Sequence, residues 1–307
     1  MLDRTEEAVF AKESEGLQHV LAGIPRGLLN FAQRKPLGAV GGSVVLLLVF
    51  VALLAPLLAP YGDREIIRVE RKVPVYHAPS LDYPLGTDHV GRDTLSRVMY
   101  GARISLYVGG MSVGIGITFF YLLGVFSAYA GGKVDLVIQR IIDAKMALPG
   151  LVIALAIMAA LGSSLNNVIL AIIIGLAPAV VRTVRSQVLS LKEMDYVLAA
   201  RAVGATPTRI MLKHIVPNTF STYLILATYY LGFAIILEAS LSFLGVGSPP
   251  DVPSWGGMLT MASQAHIKTG PWTAIFPGLA IFVVVLGFNL LGDALRDVLD
   301  PRLRGSR

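Results

Sequence analysis

The chain has 307 residues, 54% of them hydrophobic and only 15% charged, with a net charge of +6 and no cysteine, and its mean hydropathy is +0.67. That balance lies far from an ordinary soluble domain and reads as an all-α, polytopic integral membrane protein. No disulfide frame, thiolate metal site or thiol nucleophile is open to it, and in so apolar a chain the basic residues mark topology rather than a nucleic-acid surface.

Residues 1–36 are a charged leader holding Glu6, Glu7, Glu13 and Glu15. It is too long and too polar for a cleaved signal peptide, so the first apolar run should remain as an anchor. Uncharged runs at 37–59, 104–130, 146–161, 165–181, 220–237 and 272–291 predict six membrane spans. Each must be helical, because lipid offers no partner for a free backbone N–H or C=O. The resulting division is a leader (1–36), a first transmembrane helix (37–60), an outer loop (61–103), a five-helix core (104–293) with a polar loop at 190–217, and a tail (294–307). The third and fourth spans are separated only by the turn-forming run GSSLNN at 162–167, which predicts a tight antiparallel hairpin.

With the amino terminus in the cytoplasm, 18 of the 26 lysines and arginines fall on the inner side, and both termini are cytoplasmic. The exception is the outer loop, with Arg64, Arg68, Arg71, Lys72, Arg92, Arg97 and Arg103, but long loops weigh little in the positive-inside rule. Within that loop, residues 88–103 alternate Leu95, Val98 and Met99 with Arg92, Asp93 and Arg97. The pattern predicts a helix lying in the membrane interface, with Asp93 and Arg97 paired at i, i+4. The second span is dense in small residues, Gly109, Gly110, Gly114 and Gly116, which are expected to be helix-packing surfaces.

Between the fourth and fifth spans the sequence turns polar: DYVLAARAVGATPTRIMLKHIVPN, residues 195–218. Helical spacing over 196–203 puts Tyr196, Ala199, Ala200 and Val203 on one face, and Gly204 follows where a left-handed cap is wanted. Thr206 offers an N-cap hydroxyl and Pro207 fits the first helical position, so a second short helix should run to about Ile215 and stop before Pro217. So short a helix needs a partner to be stable. Its small face suits a groove on another protein, and spacing alone also fits an amphipathic connector resting on the membrane surface.

The pattern Ala199, Ala200, Gly204, Ile210 and Pro217 resembles the cytoplasmic "EAA" loop of permease subunits in binding-protein-dependent ABC importers. In that family the loop forms a coupling helix that docks on the ATP-hydrolysing subunit, which would place Tyr196, Leu198 and Arg201 at the same contact. Leu198 stands where the motif has glutamate, with Glu193 and Asp195 nearby as partial replacements. Four further segments, LGTDHVGRDTLSRVMYGARISL (85–106), EASLSFLGVG (238–247), PSWGGML (253–259) and FNLLGDALRDVLDPRLR (288–304), are similar to the dipeptide, oligopeptide and nickel group of these permeases. The likeness implies the type I (MetI-like) permease core with six transmembrane helices. It also implies a second, different permease subunit as partner, two ABC ATPase subunits, an external substrate-binding protein, and the bacterial inner membrane as location. Peptide is the implied substrate, with nickel or another small solute as the alternative on the same architecture.

No GxxxxGK[ST] run occurs, so ATP and magnesium are expected on partner subunits, with no cofactor on this chain and no enzymatic activity of its own. His77, His89, Asp88 and Asp93 match no tight ligand pattern and carry no metal reading. Glu238, about 27 Å along the fifth span, is expected near the outer water, bound to Ser240, Ser242 or a loop amide. Glu238, Asn289 and Tyr229 are the candidates for the translocation path. A proton-driven carrier, the alternative from another class, would need ionisable residues near mid-membrane, where this chain has almost none.

Overall fold

The computed structural model describes residues 31–66, 74–265 and 268–299, so most of the charged leader and the end of the tail lie outside the described residues. Nine helices are described: α1 (Pro36–Leu58), α2 (Thr94–Ala130), α3 (Gly132–Met146), α4 (Gly150–Leu161), α5 (Leu165–Lys192), α6 (Asp195–Ala202), α7 (Pro207–Phe243), α8 (Trp255–Ala265) and α9 (Trp272–Leu299). Five of them, α1, α2, α5, α7 and α9, are long and apolar enough to cross a membrane, and α3 with α4 makes a sixth candidate, bent by 86° at its break. The all-helical architecture is therefore as the sequence predicts, and the six predicted spans correspond to five long helices and this bent pair.

Three boundaries differ, each for a local reason. The separate interfacial helix expected at 88–103 does not exist: residues 94–103 are the first turns of the 37-residue α2. Asp93 does not pair with Arg97 but caps α2, accepting from Ser96 N at 2.8 Å and Ser96 Oγ at 2.7 Å. Its burial at 2% exposure pushes the Asp93 carboxyl above the ordinary carboxylate range. Arg97 is equally buried, donates to Asp63 O at 3.3 Å and lies 3.8 Å from Asp88. Charges that looked like a solvated face are thus consumed in closing the start of the helix.

The third span is not one helix over 146–161. Pro149 starts α4, whose 12 residues cover about 18 Å against a hydrocarbon core of about 30 Å. The preceding α3 carries Asp135, Arg140, Asp143 and Lys145. The fourth span also continues past Val181, three turns further to Lys192, because Arg182 and Arg185 find carboxylates on α3. Arg182 pairs with Asp143, and Arg185 with Asp135 through Nε at 2.8 Å and Nη2 at 2.5 Å. The hairpin between α4 and α5 forms as expected. Gly162 has φ +83°, Ser164 caps α5, and the Asn167 amide donates to Leu161 O and Gly162 O.

Two clusters dominate the packing. Ile117, Ile172, Leu176, Val180, Val184, Val188, Ile215 and Leu241 centre the larger one, joining α2, α5 and α7. Leu48, Ala102, Ile235, Trp255 and Phe288 centre the smaller, where α1, α8 and α9 meet α2 and α7. Of the glycines expected to pack in α2, Gly109 lies against Ile235 and Gly116 against Ile173, whereas Gly110 and Gly114 face open space. The segments before α2, between α4 and α5, and from α7 to α9 meet at one end of the bundle, tied by Trp272 Nε1 to Thr87 O, Trp255 Nε1 to Val98 O and Ser163 Oγ to Val246 O. The other end carries α6.

Candidate functional site

The α6 corner is built by backbone chemistry. Helix α6 ends in a Schellman arrangement: Ala205 N donates to Ala200 O and Gly204 N to Arg201 O, both at 3.0 Å. Gly204 holds φ +81°, the left-handed conformation that a side chain resists. No atom stands within 4 Å of the Cβ it lacks, so glycine is needed here for its backbone and not for space. Thr206 then caps the next helix, accepting from Arg209 N at 3.4 Å, with Pro207 in its first turn.

The second arm of the corner does not stop before Pro217. It runs on as α7 through a π-helical turn, Met211–Ile215, in which Val216 N reaches back to Met211 O. The widened turn gives a proline ring room inside a helix, where an α-turn would set it against a carbonyl and leave an acceptor unpaired. The second arm of the corner and the membrane helix are therefore one continuous element.

Side-chain placement partly reverses the predicted packing face. Val197 is fully buried and Ile210 is 1% exposed, both in the larger core cluster, while Ala200 and Ala205 pack against that cluster. Tyr196, Leu198, Ala199, Arg201 and Val203 face outward, Val203 with 84% of its surface free. Ala200 thus holds α6 to its own bundle, and the outward patch is Tyr196, Leu198, Ala199 and Val203. Leu198, at the motif's glutamate position, is among these exposed residues, as are Glu193 and Asp195. Pro217 is also exposed, on the side of α7 away from the core.

At the loop end Glu238 is not near water. It is wholly buried, and its Oε1 accepts from Ser242 Oγ at 2.8 Å and Ser248 Oγ at 3.2 Å. Ser240, named as a possible partner, instead donates to Ile236 O. A second Schellman corner at Gly245, φ +80°, folds the chain back so that Ser248 can reach the carboxylate. Ser242, also named, is the partner found, but rise along the helix could not report that the following loop covers the carboxylate. The carboxylate is a knot in that covering, and nothing places it on an open path.

Tyr229 and Asn289 are exposed on α7 and α9. Tyr229 lies on a stripe of α7 that continues through Phe233 and Ile236 to Ser240. A groove of about 460 Å³ between Ile236, Ser240, Phe243, Leu259 and Ile281 flanks this stripe. A second hollow of about 220 Å³, against Gly150, Leu151 and Gly175, lies on its other side. Three of the four residues considered for a cation have other engagements: Asp88 receives Arg92 Nε at 2.7 Å, Asp93 caps α2, and His77 Nδ1 faces Ala78 O.

The family model for the binding-protein-dependent transport system inner membrane component matches residues 121–305. The N-terminal transmembrane domain of oligopeptide transport permease C matches residues 33–79. Among named relatives, the dipeptide transport system permease protein DppC of Alkalihalophilus pseudofirmus is 40% identical over 272 residues, 89% of this chain and 88% of the relative. The glutathione transport system permease protein GsiD is 41% identical in Pectobacterium atrosepticum, over 88% of this chain and 89% of the relative. GsiD of Escherichia coli is 42% identical over 89% of each chain. These likenesses run through both the anchor helix and the helices that carry the α6 corner. The chain belongs to the binding-protein-dependent transport system inner membrane component family, the membrane-spanning permease subunits of ABC importers.

Proposed function

We propose that this chain is one half of the translocation pathway of a peptide importer in the bacterial inner membrane. It would pair with a second, different permease subunit and receive substrate from an external binding protein. The relatives' names support the substrate class, because a dipeptide and glutathione are both short peptides with free amino and carboxylate ends. Two ABC ATPase subunits supply ATP hydrolysis, and this chain binds neither nucleotide nor metal itself. Both termini and α6 lie on the cytoplasmic side, so ATP-driven closure of the ATPases pushes α6 and the bundle alternates its access.

The observation that carries this reading is the outward patch of α6, apolar, rigidly cornered at Gly204, and covered by none of the described residues. An amphipathic connector would turn its apolar side to its own bundle or to lipid, and would not need the left-handed corner. The test is to crosslink from Ala199→Cys in the assembled importer after purification in mild detergent. Two ATPases and a second permease should co-purify, and the crosslink should reach an ATPase. A crosslink that never reaches one sinks the proposal.

A further inference from the structure

The α6 corner hangs from the last residue of α5. Only Glu193 and Met194 separate Lys192 from the start of α6, and a two-residue link leaves α6 little freedom to move without the end of α5. The side chain of Lys192 goes to another helix. Its Nζ donates to Ala128 O at 3.0 Å and Tyr129 O at 3.2 Å, and sits 5.6 Å from the centre of the Tyr129 ring.

Those carbonyls belong to the last turn of α2, where no intrahelical N–H remains to bond them. The neighbouring Ser127 O is already taken by Gly131 N. A cation at this position meets both the orphan acceptors and the negative end of the helix dipole. Two turns earlier on the same face of α5, Arg185 binds both oxygens of Asp135 in the first turn of α3. Ser127 Oγ donates to the same carboxylate at 2.7 Å. One face of α5 therefore holds the α2–α3 corner by two cations, Arg185 on the α3 side and Lys192 on the α2 side.

We propose that Lys192 is a positioning residue for coupling: its hold on the last carbonyls of α2 carries displacement of α6 into α2. Helix α2 runs unbroken for 37 residues from this corner to the loop end, about 55 Å of helix. A shift imposed at Lys192 thus reaches the opposite face of the membrane along one element. The family's motif lies wholly beyond Lys192 and assigns it no part.

The inference rests on α6 being the ATPase docking site, and the whole importer in proteoliposomes tests both. A dipeptide or glutathione is supplied through the binding protein, with Lys192→Met and Lys192→Arg compared with the parental chain. Lys192→Met keeps the aliphatic packing and loses the donor. It should assemble and hydrolyse ATP, while solute taken up per ATP falls by about tenfold, within the range of site-to-site coupling. Lys192→Arg should restore it. Parental uptake per ATP in Lys192→Met, or an equal loss in Lys192→Arg, overturns the proposal.

The absence of cysteine from the chain allows a second measurement. Spin labels at Ala130→Cys and Ala202→Cys report the end of α2 and α6. Their distance should stay narrow when nucleotide is added to the parental complex and broaden in Lys192→Met. An unchanged narrow distance overturns the proposal, and if Lys192→Met does not assemble, Lys192→Leu, which also lacks a donor, is read by the same criterion. If crosslinks from Ala199→Cys reach the ATPase and Lys192→Met still transports normally, the latch alone fails. If they never reach it, the docking reading fails first.

Discussion

Single residues in this chain matter through backbone geometry and buried polarity more than through exposed chemistry. At Gly204 the open surroundings remove any steric argument, so the effect of substitution is conformational. Gly204→Val should cost about 1–2 kcal/mol or more at the corner and sharply reduce uptake, with the protein still recovered in the membrane fraction. Gly204→Asn should retain more uptake, because asparagine tolerates the left-handed region. Asp93 makes a different case. Burial raises its carboxyl pKa, so the protonated form suits the folded state, and stability falls as pH rises from the ordinary carboxylate value through the raised one. Asp93→Asn keeps an oxygen for Ser96 and carries no charge. Its thermal stability should therefore gain on the parental chain as pH rises through that window, whereas Asp93→Ala should lose about 1 kcal/mol with the N-cap. A melt in which Asp93→Asn and the parental chain keep a constant offset from pH 4 to pH 7 would contradict the argument.

Among the elements, the π-turn at Met211–Ile215 is the most informative. It takes one more residue per turn than an α-helix, so it fixes the rotational phase of Pro207–Ile210, and with it the α6 corner, relative to the rest of α7. Pro217→Ala restores a donor and removes the ring that the wide turn accommodates. The expected result is a shift toward α geometry that turns the corner by roughly 100° per residue lost. Thermal stability should hold while crosslinking from Ala199→Cys to the ATPase drops. An unchanged crosslink yield would mean that the turn is held by Tyr121, whose hydroxyl bonds Thr219 and Val216 O, and not by the proline. The presence of the corner was legible in the order of Gly204, Thr206 and Pro207. Its continuity with α7 was not, because Pro217 signals a stop in any local reading and only the packed helix permits a wider turn.

For the whole molecule, α1 lies at the edge of the bundle and lends Leu48 and Ala52 to the smaller core cluster. Its most apolar window is only 22% buried, and leucines such as Leu46, Leu53 and Leu57 are more than two-thirds exposed, as lipid contact requires. It joins the bundle through close backbone approach. A Cβ on Gly41 would stand 2.6 Å from Gly287 O and 2.7 Å from Leu291 N, atoms of α9 that cannot yield as a side chain could. Gly41→Leu should therefore separate α1 from α9 and expose the chain between α1 and α2 to proteolysis, leaving the larger core cluster intact. Limited proteolysis of the purified complex checks this, and a parental digestion pattern would show that α1 docks by other contacts.

The sequence by itself determined the class, the number of apolar runs, the hairpin at 162–167 and the corner at Gly204. Each of these follows from composition, from a run long enough for lipid, or from residues whose backbone preferences act over a few positions. Only the tertiary structure decided how charges inside long helices are used. Spacing assigned Arg97 to Asp93 and named no partner for Asp135, Arg185 or Lys192, yet Arg97 bonds a loop carbonyl, Arg185 bonds Asp135 on another helix and Lys192 bonds a neighbouring helix end. Such pairing depends on which helices touch and in which rotation, and neither is encoded within the span of one turn.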